Sequence, residues 1–149
     1  MVKVNKFDDI LDAWEQDSQI SDELGALISQ AEKIGPLHSK YSRMLYTEVA
    51  YEYHLKGEYK KLCRNYKEHL INPSPESAAE FGTPLNRSLS KGELEEMVAT
   101  YPPAILLETK IGIQGEKVQV LKDIIHQIVK SRSFQIKTVL DLKKFEAGE

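Results

Sequence analysis

Residues 37–71 read LHSKYSRMLYTEVAYEYHLKGEYKKLCRNYKEHLI, and the spacing of the apolar side chains in this stretch decides the fold class. Tyr41, Leu45, Val49, Leu55, Tyr59, Leu62, Tyr66 and Leu70 recur at helical steps and mark one apolar stripe. The stretch predicts a single long amphipathic helix. Gly57 sits inside it, costs about 1 kcal/mol against alanine and allows a local bend. A helix of this length needs neighbouring helices, or another subunit, to cover its stripe.

Upstream, Phe7, Ile10, Leu11 and Trp14 have helical spacing and predict a short first helix. Ser21-Asp22-Glu23-Leu24 offers an N-cap and an acidic first turn for a second helix running towards Ile34, which Gly35-Pro36 should stop. Downstream, Asn72-Pro73-Ser74-Pro75 ends the long helix, and residues 72–88 read as a loop. Ser90 and Glu93 have capping-box spacing for a short helix from Ser90 to Met97. Tyr101-Pro102-Pro103 breaks the chain again. Residues 104–113 fit a helix or an extended segment, because Ile105, Leu107, Thr109 and Ile111 alternate like a strand that has no obvious partner. Val118, Leu121, Ile124, Ile125, Ile128 and Val129 predict a strongly apolar helix. After a basic break at Lys130-Ser131-Arg132-Ser133, a last helix should run from Phe134 towards Phe145. The expected class is all-α: one multi-helix domain over 1–149, with acidic N-terminal helices in 1–35, the long basic and amphipathic helix in 37–71 and a C-terminal region in 117–149.

The 149 residues carry a net charge of −3, which by itself argues weakly against a nucleic-acid partner. The distribution argues the other way. Residues 1–35 sum to −5, with three basic and eight acidic side chains, and 36–71 sum to +3, with seven and four. Residues 72–116 sum to −4, with three and seven, and 117–149 to +3, with seven and four. Such alternation matters more to a polyanion than the total does. The longest apolar runs, such as Ala104–Leu107, are too short to span a bilayer, and no membrane partner or secretory signal is expected. A single cysteine, Cys63, allows no intrachain disulfide and fits a reducing cytoplasm.

No glycine-rich phosphate loop is present, and His38, His54, His69 and His126 share no metal-ligand spacing with one another or with Cys63. Neither a cofactor, a metal nor an enzymatic activity is expected. Charge patterning is the chemistry that remains. Lys56, Lys60, Arg64 and Lys67 fall within an arc of about 80° on an ideal helix, about 120° from the apolar stripe. Lys61 broadens the positive side. Such a row matches a phosphate backbone without asking for a particular base. It also suits a solvated face whose lysines pair with Glu52, Glu58 and Glu68. Tyr59 and Tyr66 are either core residues or platforms for unpaired bases.

In the C-terminal region Phe134, Ile136, Val139, Leu140 and Phe145 give the last helix two apolar aspects, ringed by Lys130, Arg132, Lys137, Lys143 and Lys144. Such a helix either docks on a neighbouring subunit or folds back on its own domain. Lys130, Arg132 and Lys137 are secondary candidates for phosphate contact.

The ending Ile128-Val129-Lys130-Ser131-Arg132-Ser133-Phe134-Gln135-Ile136-Lys137, followed by Asp141-Leu142-Lys143-Lys144-Phe145-Glu146-Ala147-Gly148, closely resembles the C-terminus of the UvsY family, the recombination mediators of T-even-like bacteriophages. A weaker likeness runs from His38-Ser39 through Tyr59-Lys60-Lys61-Leu62 to Arg64. The resemblance implies a small helical protein that forms rings of six or seven subunits. It implies sequence-independent binding of single-stranded DNA and help for a RecA-like recombinase in replacing the single-strand-binding protein, in the cytoplasm of the host cell. It places DNA-binding residues near Arg64, with Lys60 and Lys61 one turn earlier, and assembly residues at Phe134, Ile136, Val139, Leu140 and Phe145. Glu68-His69-Leu70 departs from the paired tyrosines of the family. The alternative is a helical adaptor with no DNA site, its positive faces meeting an acidic protein.

Overall fold

The structure, a computed structural model, describes residues 3–20 and 23–148, with the backbone alone at Leu24, Leu27 and Ser131. Among these residues the elements are helical throughout: α1 Phe7–Asp17, α2 Leu24–Glu32, α3 Ile34–Ile71, α4 Pro75–Phe81, α5 Lys91–Ala99 and α6 Pro102–His126. A π-helical turn, Gln127–Arg132, then leads into α7, Ser133–Glu146. The chain is all-α, and α3, with 38 residues, is the longest α-helix among the described residues.

The periodicity of the long stretch holds. The helix runs unbroken through Gly57 and starts at Ile34, three residues before the expected Leu37. Gly35-Pro36 opens this helix and does not merely close α2, since a first helical turn has no internal partner for the N–H that proline lacks. The proposed Ser21-Asp22 cap lies outside the described residues.

Three other expectations are corrected. Residues 72–88 are not all loop. Ser74 caps α4, accepting from the Ser77 N–H at 3.1 Å while the Ser77 hydroxyl accepts from the Ser74 N–H at 2.8 Å, and Pro75 occupies the first turn. Residues 104–113 are helical, within α6, because Pro102 and Pro103 again fill a first turn. The apparent alternation of Ile105, Leu107, Thr109 and Ile111 belongs to a helix whose apolar residues point several ways. Lys130-Ser131-Arg132-Ser133 is no break either; the helix passes through it by widening to a π turn, where the Ser133 hydroxyl donates to the Ile128 carbonyl at 3.2 Å. At Ser90 and Glu93 the capping box forms as the spacing predicts, with α5 running to Ala99.

Two compact units divide the chain: Met1–Ala50 with Glu116–Glu149, and Tyr51–Gly115. The first unit is built on Ile10, Tyr41, Leu121, Ile124 and Ile128, with Trp14, Leu37, Met44, Leu45 and Ile125 packed round them. Trp14 meets the Tyr41 ring edge-on, with centroids 5.5 Å apart. The Tyr41 hydroxyl donates to Asp17 Oδ2 at 2.9 Å, and Lys40 Nζ reaches the same oxygen at 2.6 Å. Burial pushes the Tyr41 phenol up, and its bond to Asp17 adds to that. At Asp17, burial would raise the carboxyl, but the hydrogen bonds from Lys40 and Tyr41 outweigh it and hold the group below its ordinary value.

A polar knot crosses the same unit. Glu48 is fully buried; Lys117 Nζ lies 3.2 Å from its Oε2, and the backbone N–H and side-chain amide of Asn5 donate to its Oε1 at 2.9 and 3.1 Å. Lys117 Nζ also donates to the Asn5 carbonyl at 2.7 Å. Each charge is therefore met on two sides, which such a buried pair requires.

In the second unit α3, α4 and the residue just before α6 meet through aromatic rings. Tyr66 stacks on Tyr101 at 3.9 Å and 16°, and Phe81 closes on Tyr66 at 5.5 Å and on His69 at 5.4 Å. His69 is buried, with Nδ1 hydrogen-bonded to the Ser77 hydroxyl at 2.8 Å. Leu55, Leu94 and Ala104 are the buried aliphatic residues here.

Two measurements check this packing. Lys117→Met strands the Glu48 carboxylate and should cost about 3–5 kcal/mol in urea unfolding, most of which a second change, Glu48→Leu, restores. Asp17→Asn should cost about 1.5–3 kcal/mol at neutral pH, the usual value of hydrogen bonds to a charged group. Because the folded-state carboxyl is depressed, that contribution is present above the ordinary value of 3.8 and lost as pH falls through the lower folded value. Wild type and Asp17→Asn should therefore converge in acid thermal melts.

Candidate nucleic-acid interface

The apolar stripe of α3 turns inward, so the opposite side of the same helix must face water. Within Tyr51–Gly115 that side carries Lys56, Lys60, Lys61, Arg64 and Lys67, all exposed. Lys56 forms an i, i+4 pair with Glu52 at 2.5 Å, of a kind that contributes little in water and yields readily to another anion. No carboxylate among the described residues lies within ion-pair reach of Lys60, Lys61, Arg64 or Lys67. Glu58 pairs instead with His54 Nε2, at 3.5 Å. The result is a ridge about 16 Å long by helical rise. Lys61 stands at its edge, beside a shallow depression of about 270 Å³ lined also by Glu58, Leu62, Asn65, Glu80 and Leu107.

Tyr59 and Tyr66 do not stand on this ridge as platforms. Tyr66 is held in its stack with Tyr101, and Tyr59 is half-buried, its phenol raised chiefly by a hydrogen bond with the Cys63 thiol. Sequence reasoning passed over an aromatic residue that is free: Tyr53, 71% exposed. Its signal was its place three residues before Lys56, on the basic and not the apolar side.

The secondary set divides. Lys130 and Lys137 are exposed. Arg132 is only 5% exposed, and its guanidinium donates to the Gln19 carbonyl at 3.3 Å. Burial lowers its pKa, while the charge of Asp17 works against that. Arg132 faces inward because it follows the buried Ile128 by four residues, on the same side of the helix. As a phosphate contact it is corrected to an internal tie between the π turn and the chain after α1.

The five apolar residues of the last helix divide as well. α7 packs against α2; Ile136 is fully buried and Val139 and Leu140 are half-buried. Phe134 and Phe145 remain 69% and 83% exposed, and Leu142, which sequence reasoning left out, is 58% exposed. Phe134, Leu142 and Phe145 lie within about 80° on one side of α7. Ile136, Val139 and Leu140 lie on the other. One apolar aspect is thus used within the chain and one is left to solvent.

Among the described residues, no group of histidine, cysteine, aspartate and glutamate is arranged to hold a metal ion, and no helix is long and apolar enough to cross a membrane.

Fold and ridge together define the class: a small all-helical protein presenting a one-sided row of cations on its longest helix. The sequence model of the UvsY family, described as "Recombination, repair and ssDNA binding protein UvsY", matches residues 13–149, and the chain belongs to that family. Among solved structures, the chain is similar to the bacteriophage T4 recombination mediator protein UvsY in two crystal lattices. In lattice type II the TM-score is 0.78 at 17% identity, covering 96% of this chain and 98% of that one. In lattice type IV it is 0.79 at 15% identity, covering 95% and 99%. At that identity the likeness is one of fold. No curated protein matches the chain significantly.

Both apolar sides of α7 can be tested apart. Ile136→Ala removes a fully buried side chain and should cost about 2–5 kcal/mol in urea unfolding. Phe134→Ser with Phe145→Ser should leave the unfolding of the single chain, followed at a dilution where it is unassembled, nearly unchanged, since both rings are solvated there.

Proposed function

We propose that the protein is a non-enzymatic, single-stranded-DNA-binding recombination mediator that works as a ring of six or seven subunits. In this reading it helps a RecA-like recombinase to load onto DNA covered by single-strand-binding protein, in the cytoplasm of the infected host cell. The observation that carries the DNA-binding part is the row of Lys60, Lys61, Arg64 and Lys67, exposed and without carboxylate partners among the described residues. Membership of a family of recombination, repair and ssDNA-binding proteins supports the biological setting.

Cations in a row neutralise successive phosphates and release counterions, so the binding is sequence-independent and falls with salt. A handful of such cations on one subunit binds weakly at physiological salt. Assembly multiplies them along one strand, and linked sites can gain about 10²–10⁴ in avidity. The exposed strip of Phe134, Leu142 and Phe145 is an apolar surface suited to that assembly, with Lys130 and Lys137 as additional cations nearby in sequence. Head-to-tail contacts with cyclic symmetry would close the ring.

Titration of a labelled single-stranded oligonucleotide over a range of salt tests the ridge. Lys60→Ala with Arg64→Ala should make the log–log salt slope shallower by about 0.7 for each phosphate that is no longer neutralised. An affinity indifferent to salt, or an unchanged slope in the double variant, would remove the ridge from its role. Phe134→Ser with Phe145→Ser should sediment as a smaller species and bind oligonucleotide more weakly; a full-sized assembly in that variant would sink the assembly assignment.

A further inference from the structure

The ridge on α3 is not uniformly cationic. Measured round an ideal helix from Lys56, Lys67 stands at about 20°, Lys60 at about 40°, Tyr53 at about 60°, Arg64 at about 80° and Gly57 at about 100°. Tyr53 therefore stands among the cations, and Gly57 one turn after it on the same side. All of these residues belong to the unit Tyr51–Gly115.

Tyr53 is 71% exposed, and no ring or hydrogen-bonding group among the described residues is paired with it. Its neighbours Tyr51 and His54 are taken up with each other, their rings stacked at 6.2 Å and 29°. Gly57 is the second observation. It lies in mid-helix with no left-handed backbone, and a Cβ placed on it would meet nothing within 4 Å. Neither packing nor dihedral angle calls for glycine there, although glycine weakens a helix relative to almost any other residue. Its effect on the surface is to leave bare backbone between an exposed aromatic ring and the next cations.

We propose that Tyr53 and Gly57 form a base slot in the ridge: an unpaired base stacks on the Tyr53 ring over the bare backbone of Gly57, while Lys60 and Arg64 hold the flanking phosphates. The slot rests on the single-stranded-DNA reading above. The helix geometry suits it. Side chains on a helix lean towards its N-terminus, so the Tyr53 ring leans away from Gly57 and its C-terminal face opens over the gap. Seven residues from Tyr53 to Lys60 span about 10 Å of axis, room for one base with its phosphate beyond. Every base has a stacking face, so the slot adds affinity without reading sequence. A duplex keeps its bases stacked on one another and offers the slot nothing. The slot thus separates single strands from duplexes, which a row of lysines alone does not do.

Fluorescence anisotropy of the full chain with three labelled probes tests this: oligothymidylate, an abasic strand of equal length, and a duplex. Tyr53→Ala should weaken oligothymidylate binding by about five- to a hundredfold, the usual range for removing one base stack. It should leave the abasic and duplex affinities and the salt slope as they were, and Tyr53→Trp should restore binding. Gly57→Gln should raise the melting temperature, because glutamine favours a helix, and yet weaken oligothymidylate binding selectively. Tyr53→Ala binding oligothymidylate like wild type would overturn the slot while leaving the ridge in place. Equal weakening on all three probes would also overturn it, since that would mark a general role in binding. A wild type that binds none of the probes would overturn slot and ridge together.

Discussion

The buried Glu48 carboxylate is the constraint on which the first unit depends. An isolated carboxylate in an apolar interior is strongly unfavourable, and it is tolerated only when its oxygens are met by good donors. Lys117 on α6 and both nitrogens of Asn5 supply them. The three residues come from the chain before α1, from α3 and from α6, so satisfying one charge sets the register of three segments against one another. Apolar packing among Ile10, Tyr41, Leu121 and Ile128 provides the bulk of the burial, but it tolerates sliding more readily than a pair of hydrogen-bonded charges does. Asp17 plays a similar part at the end of α1, gathering Lys40 and Tyr41 on one oxygen.

With its apolar side committed, α3 has no freedom in where its cations point. The same helical period that buries Leu55 and leaves Tyr66 stacked on Tyr101 puts Lys60, Arg64 and Lys67 in water. Core and ridge are two aspects of one amphipathic pattern. The pattern explains why the tyrosines that look suited to stacking on bases, Tyr59 and Tyr66, are tied to the protein, whereas Tyr53 stays exposed.

How much of this could be read from the chain varies with the range of the interaction. Helix α5 was legible because Ser90 and Glu93 cap it locally, and the basic row was legible because its members are three or four residues apart. Helix α4 was obscured by three nearby prolines, whose usual message is termination, although a proline in a first turn is compatible with a helix. Glu48 and Lys117 entered the sequence only as charges in two basic segments, yet each stands in register with buried neighbours, Tyr41 and Leu55 for one, Val118 and Leu121 for the other. Their pairing over 69 residues of sequence follows no local rule. Arg132 reads as a surface cation, yet it stands one turn after the buried Ile128 and its guanidinium donates to Gln19.

By itself, the sequence determined that the protein is all-α, that one long helix has an apolar and a basic side, and that the last helix has two apolar aspects. All three follow from the 3.6-residue period, which relates only residues close along the chain. Tertiary structure alone decided which tyrosines are free, which apolar aspect of α7 is spent on α2, and which charges are buried. Those outcomes depend on what stands opposite each side chain, and a partner opposite is placed by the packing of distant segments.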